Sequence, residues 1–324
     1  VQDVRAGNAE RLNVLFIAVD DLRPELGCYG HPQVKTPHID RLASEGTLFS
    51  RAYCQQAVCN PSRASLMTSL RPESTGVVDL PTHFRDKTPD VVTVSQYFQK
   101  HGYHAQGIGK IYHLGHGNRD DRHSWSVQEK FQRAPRYGPL GTSHLQKLIT
   151  DAKAAGVDVR DNATRPRGLP WSAPDVDDFD LTDGSIARRG TSLLRQLKDQ
   201  EFFLAVGFLN PHLPFVAPKK YWDLYDPADI SLAANPDPPA NSPTYAHTNW
   251  GELRKYYGIP PTGPLTDEQA RTAIHGYWAA TSYVDAMVGL LLEELDRLDL
   301  GKKTVVVLWV DLGWQLGEHG FWCK

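Results

Sequence analysis

The sequence predicts an α/β fold, a large central mixed sheet flanked by helices on both faces. Three apolar runs carry that expectation. Leu12 to Val19 is apolar over the length of a strand but for Asn13, as expected of a strand buried on both faces. Phe202 to Phe208 and Thr304 to Val310 repeat the pattern much later in the chain. The second observation is what lies between them: stretches of helical period with their own start and stop signals. Thr36-Pro37 opens one that runs to Glu45 and closes at Gly46; Val92 to His101 ends at Gly102. Leu181 to Leu197 and Thr266 to Leu298 are longer, the last with an apolar stripe through Ala273, Trp278, Val284, Val288, Leu291, Leu292 and Leu295.

The first strand ends at Asp20-Asp21. Adjacent carboxylates beyond a buried strand sit where open α/β sheets place ligands, and they suit a hard cation such as Ca²⁺; a solvated turn is the bland alternative. Thr47 to Tyr53 reads as a strand leading into Cys59-Asn60-Pro61-Ser62-Arg63, which opens a helix through Thr68. A proline in the first helical turn costs no hydrogen bond. The sulfur then lies at a helix N-terminus with Arg63 on the same face, a field that favours an activated nucleophile. After the short strand Tyr103 to Ile108 come Lys110 and His113, three apart in Gly109-Lys110-Ile111-Tyr112-His113; alone, such residues are as often surface loop. Residues 114–180 carry little periodicity and read as a loop-rich insertion at a site mouth; Trp125 and Trp171 suit stacking on sugar rings but are more often packing residues, and both stay unassigned. His212, between Pro211 and Pro214 at a strand end, is rigidly held, which suits a catalytic acid. Residues 216–265 form a second loop-rich excursion. Asp311-Leu312-Gly313 follows the last strand, and Lys324 ends the chain.

A length of 324 residues allows one α/β domain with long insertions. With a net charge of −3, no basic surplus points to nucleic acid, and no apolar run approaches the ~18 residues of a membrane span. Cys28, Cys54, Cys59 and Cys323 have neither zinc-type spacing nor a disulfide framework. The chain begins with Val and shows no signal peptide; it stops inside what reads as an unfinished motif. Either a processed mature form or a fragment, with truncation at the C-terminus, is the expectation.

The pentapeptide at 59–63 resembles the signature of type I sulfatases of the alkaline phosphatase superfamily, in which the cysteine becomes a formylglycine aldehyde. Val19-Asp20-Asp21-Leu22-Arg23-Pro24 resembles the iduronate 2-sulfatase branch. The resemblance runs through six motifs in order and implies one catalytic domain over 1–324, without the smaller C-terminal subdomain that the family usually carries. It implies Ca²⁺ held by Asp20, Asp21, Asp311 and residue 59, with Cys59, Arg63, Lys110, His113, His212 and Lys324 as the catalytic set. In that set the hydrated aldehyde attacks sulfur and Asp311 takes the hydroxyl proton. Arg63, Lys110, His113 and Lys324 neutralise sulfate oxygens, and His212, or else Lys324, protonates the leaving oxygen. The implied partners are a sulfated carbohydrate and a formylglycine-generating or sulfatase-maturating enzyme; the implied compartment is periplasmic, secreted or lysosome-like. Two positions depart from the family pattern: Ser69 stands where glycine is usual, and Leu312 where a histidine or asparagine serves the metal. A phosphomonoester, phosphonate or phosphodiester hydrolase of the same superfamily, and a catalytically impaired sulfated-glycan binder, remain alternatives.

Overall fold

The computed structural model describes residues 11–324; the expected domain is therefore seen from residue 11 onward, and Val1 lies outside the described residues. Four parallel strands make the main sheet: β1 (Asn13–Asp20), β2 (His104–Gly109), β3 (Phe202–Pro211) and β4 (Thr304–Val310), in the order β2-β3-β1-β4. Val14 lies opposite Phe203 and Val19 opposite Phe208, while Asn13 to Val19 run beside Thr304 to Val310. The sheet is thus smaller than expected and parallel throughout among the described residues, a correction to the mixed sheet.

Each of β1's faces is covered, which is why its sequence does not alternate. Leu15, Ile17 and Val19 join the larger core, with Ile39 of α1 (Pro37–Glu45). The same core holds Ile186, Leu193 and Leu194, and Val284, Met287 and Leu291. Phe16 and Ala18 face the other way, onto Ala64 and Met67 of α2 (Cys59–Thr68) and Phe98 of α3 (Val94–Lys100). Helices on both faces are thereby established. α4 (Pro139–Ala154), α5 (Thr182–Leu197) and α6 (Asp267–Arg297) complete the main helices. Thr266 opens α6 with a capping box, its hydroxyl accepting from Gln269 N while the Gln269 side chain accepts from Thr266 N.

Two local expectations are corrected. Thr47 to Tyr53 is irregular, not a strand: Phe49 is 71% exposed and Tyr53 84%, so this β-prone stretch has no buried face to reward pairing. The first insertion contains α4, which buries only Gly141 and Ile149 and so lacks a legible apolar stripe. Trp171–Ser172, from the same insertion, pairs in parallel with Phe215–Val216. The second excursion is short turns whose Trp250, Leu253 and Tyr256 fill a second core against α6. Trp125 is a packing residue, lying against Gly107 where any Cβ would collide with its ring.

Candidate active site

The C-terminal ends of all four strands converge with the N-terminus of α2. Backbone geometry sets this up. Asp21 has φ +59°, a conformation that aspartate tolerates better than most residues. Tyr277 of α6 pins that turn, donating to the Asp21 carbonyl at 2.7 Å and accepting from Arg23 N at 2.8 Å. At β2, Lys110 N donates to the Gly207 carbonyl at 2.9 Å; a Cβ on Gly207 would lie 2.2 Å from the Lys110 carbonyl oxygen, so only glycine allows this approach.

α2 is tied to the sheet by its own motif. Ser62 Oγ donates to the Asp311 carbonyl at 2.6 Å, and Asn60 Nδ2 donates to the carbonyls of Asp79 and Thr82 at 2.8 Å each. Arg63 is fully buried. It donates to Asp20 at 2.8 Å, to Asp311 at 2.9 Å and to the carbonyls of Lys110 and Ile111. Four of its five N–H groups are therefore committed to two carboxylates and two carbonyls. Removing a partner from such a buried pair is costly, about 3–5 kcal/mol.

Asp20, Asp21, Asp311 and Cys59 present ligand atoms that all lie within 4.8 Å of one another. Lys110 Nζ meets Asp20 and lies 3.7 Å from Cys59 Sγ; Lys324 Nζ donates to Asp21 at 3.0 Å. His212 Nε2 is 3.8 Å from Asp21, and its Nδ1 donates to the Leu213 carbonyl at 2.7 Å. His113 stands slightly apart. Its Nε2 pairs with His116 Nδ1 at 3.2 Å, and its buried Nδ1 has no hydrogen-bond partner. Leu312 is buried beside Asp311, and only its backbone N–H reaches that carboxylate.

The electrostatics divide the carboxylates. Burial raises Asp20, but Lys110 and Arg63 outweigh it and hold the group well below the usual range. Burial pushes Asp21 well up, Lys324 only partly offsetting it while Asp20 and Asp311 add to it; Asp311 rises to about 6, mainly through burial. Burial, then Asp20, push the Cys59 thiol well above its ordinary value despite Lys110. The expected thiolate activation at the helix N-terminus is thus opposed by burial and by Asp20. Burial followed by Lys110 pushes His113 down to about 3, and burial followed by Lys324 does the same to His212.

Two site residues carried no signal in the sequence. Glu252, in the second excursion, lies 3.3 Å from His212 Nε2 and 3.1 Å from Lys324 Nζ. His116 sits between Gly115 and Gly117, and its contact with His113 depends on the loop's path.

The sulfatase family model matches residues 12–323. The chain belongs to the sulfatase family. It is 36% identical to iduronate 2-sulfatase of Homo sapiens, over 97% of this chain and 57% of the relative. A sulfatase of Formosa agariphila is 30% identical over 97% of this chain and 61% of its own length. Among solved structures, the phosphonate monoester hydrolase of Agrobacterium radiobacter superposes with a TM-score of 0.68 at 23% identity, over 97% of this chain and 65% of that one; it shows the shared fold. The chain spans under two thirds of the length of these relatives. Among the described residues no helix is long and apolar enough to cross a membrane.

Proposed function

We propose that this sulfatase-family chain is the catalytic part of a sulfuric-ester hydrolase acting on a sulfated carbohydrate, iduronate 2-sulfatase-like in branch. Its nucleophile is made from Cys59 by a formylglycine-generating or sulfatase-maturating enzyme, in a periplasmic, secreted or lysosome-like compartment. The observation that carries this reading is the convergence of Cys59, three carboxylates and two lysines at one set of strand ends.

The donor set fits a hard cation. Four ligand atoms are clustered, three of them carboxylate oxygens, and Asp21 and Asp311 are held up by burial and mutual repulsion that a cation relieves. Asp20, Asp21, Asp311 and residue 59 would hold Ca²⁺, which supplies charge stabilisation at a sulfate oxygen and lowers the pKa of a bound hydroxyl. The aldehyde hydrate supplies one hydroxyl to attack sulfur and a second whose collapse releases sulfate.

The chain's own residues do the rest. Arg63 fixes Asp20 and Asp311 in place. Lys110, His113 and Lys324 face the sulfate oxygens, the orphaned His113 Nδ1 being suited to one of them. Asp311 accepts the nucleophile's proton. The leaving oxygen receives its proton from the Lys324 ammonium, with the His212 ring beside it. The test is turnover of an aryl sulfate against the matching aryl phosphonate by protein matured at Cys59. Preference for the sulfate supports the reading; preference for the phosphonate rejects it; binding of sulfated glycan without turnover identifies an impaired relative.

A further inference from the structure

Glu252 is a carboxylate that this chemistry does not use, yet it sits at the centre of the cationic side of the site. Its Oε1 lies 3.3 Å from His212 Nε2 and 3.9 Å from Arg167 Nη1, and its Oε2 lies 3.1 Å from Lys324 Nζ. The backbone carrying it is well fixed. Arg254 donates to the carbonyls of Asn249 at 2.7 Å, Pro260 at 2.6 Å and Gly263 at 2.8 Å, and its guanidinium lies 4.0 Å above the Trp250 ring. Trp250 and Leu253 on either side are buried in the second core.

The ring that Glu252 meets is equally fixed. Arg136 Nη2 donates to the carbonyls of His212 and Leu213 at 2.7 Å each, and Asp183 accepts from the N–H groups of Leu209 and Asn210. With His212 Nδ1 engaged by the Leu213 carbonyl, Nε2 is left facing Glu252 and Asp21. A negative charge beside the binding place of an anion weakens ground-state binding, so Glu252 needs a compensating purpose. The geometry offers one. Without Glu252, the Lys324 ammonium would have Asp21 as its carboxylate partner and be drawn to the metal side; Glu252 divides its contacts and draws it beside His212.

We propose that Glu252 is a positioning residue that holds His212 and Lys324 together on the leaving-group side of residue 59. What the pair then does rests on the sulfate-ester reading; the contact itself does not.

Matured, calcium-loaded wild type is compared with Glu252→Gln and Glu252→Asp in two measurements. The first is calorimetric titration with inorganic sulfate. Glu252→Gln should tighten binding by about threefold or more, because it removes a negative charge from beside the Lys324 ammonium and the anion's binding place, and Glu252→Asp should stay near wild type. The second is kcat for an alkyl sulfate against an activated aryl sulfate. Glu252→Gln should lose roughly 10²-fold on the alkyl ester, the low end for general-acid catalysis, and much less on the aryl ester. Glu252→Asp, which keeps the charge on a shorter arm, should fall between wild type and Gln, and it reads the same split should the Gln variant not fold. Unchanged sulfate affinity overturns the placement of Glu252 whatever the turnover, and equal losses on both esters overturn the leaving-group role. Tightened sulfate binding in a protein whose wild type hydrolyses neither ester supports the placement and rejects the sulfatase reading instead.

Discussion

Leucine at position 312 puts an isobutyl group beside Asp311, where the resemblance implies a histidine or asparagine serving a metal. Leu312 is buried and offers the site nothing but a backbone N–H to Asp311. An apolar neighbour also raises the cost of keeping carboxylates charged, in line with the upward shifts of Asp21 and Asp311. Water can complete a Ca²⁺ shell, so weakened rather than abolished binding is expected. Leu312→His should tighten Ca²⁺ binding in a calorimetric titration and raise aryl sulfate turnover with it. No change in either means that the residue 312 side chain does not face the metal. At this scale the sequence was most legible where a motif carries the chemistry: Cys59, Asp20, Asp21 and Asp311 come together as a cluster. It was least legible for Arg63, whose charge reads as an oxyanion partner until four of its five donors are seen to be spent on Asp20, Asp311 and two carbonyls. Glu252 was illegible because its neighbours in space, His212 and Lys324, are far from it in the chain.

Among the elements, α2 is where the local sequence shows most of its structure. The helix runs from Cys59 to Thr68 as its pattern predicts, and Ser69 follows it at φ +59°, ψ +19°. That is the left-handed conformation that glycine adopts without penalty, so the departure from glycine has a physical cost. Ser69→Gly should stabilise the protein by about 1 kcal/mol in chemical denaturation, with sulfate-ester turnover unchanged. A destabilised glycine variant would mean that the Ser69 side chain contributes something the backbone argument omits. The strands were readable for a related reason: β1, β3 and β4 are apolar runs long enough to be recognised without alternation. Thr47 to Tyr53 shows the limit of that method. Leu48, Phe49 and Tyr53 favour a strand intrinsically, but all three are exposed, and no partner strand reaches them. α4 fails in the opposite direction, being a helix with too few buried positions to leave a stripe.

On the scale of the molecule, the order β2-β3-β1-β4 is what gathers residues 20, 110, 212 and 311 at one end of the sheet, and no local pattern encodes it. The long helix α6 then braces the assembly at two points, through Tyr277 at the Asp21 turn and through Asp285 at the start of α1. Asp285 accepts from Ile39 N at 2.7 Å and His38 N at 3.3 Å. Burial nevertheless raises it from 3.8 to about 7, those two bonds only partly opposing the shift and Asp40 adding to it. Its folded pKa exceeds the unfolded one, so between about pH 4 and 7 the folded state holds more protons. Stability should therefore fall as pH rises through that window. Asp285→Asn keeps an oxygen acceptor and removes the titration, and melting temperatures measured across pH 4 to 7 should fall less steeply in the variant. Asp183 and Asp311, both raised to about 6, should leave a residual slope. An unaltered slope would place the pH dependence elsewhere.

The central claim is that residue 59 acts as an aldehyde hydrate rather than as a thiol, and one mass measurement tests it. Cleavage after Arg51 and Arg63 releases the peptide 52–63, which carries Cys59 together with Cys54, an exposed cysteine that serves as an internal thiol control. The protein is co-expressed with a maturation enzyme, and its sulfate-ester turnover is measured on the same preparation before alkylation and digestion. The account predicts one alkylated cysteine, at 54, and an aldehyde at 59, with turnover proportional to the aldehyde fraction. An active preparation in which residue 59 is uniformly an alkylated cysteine would contradict it.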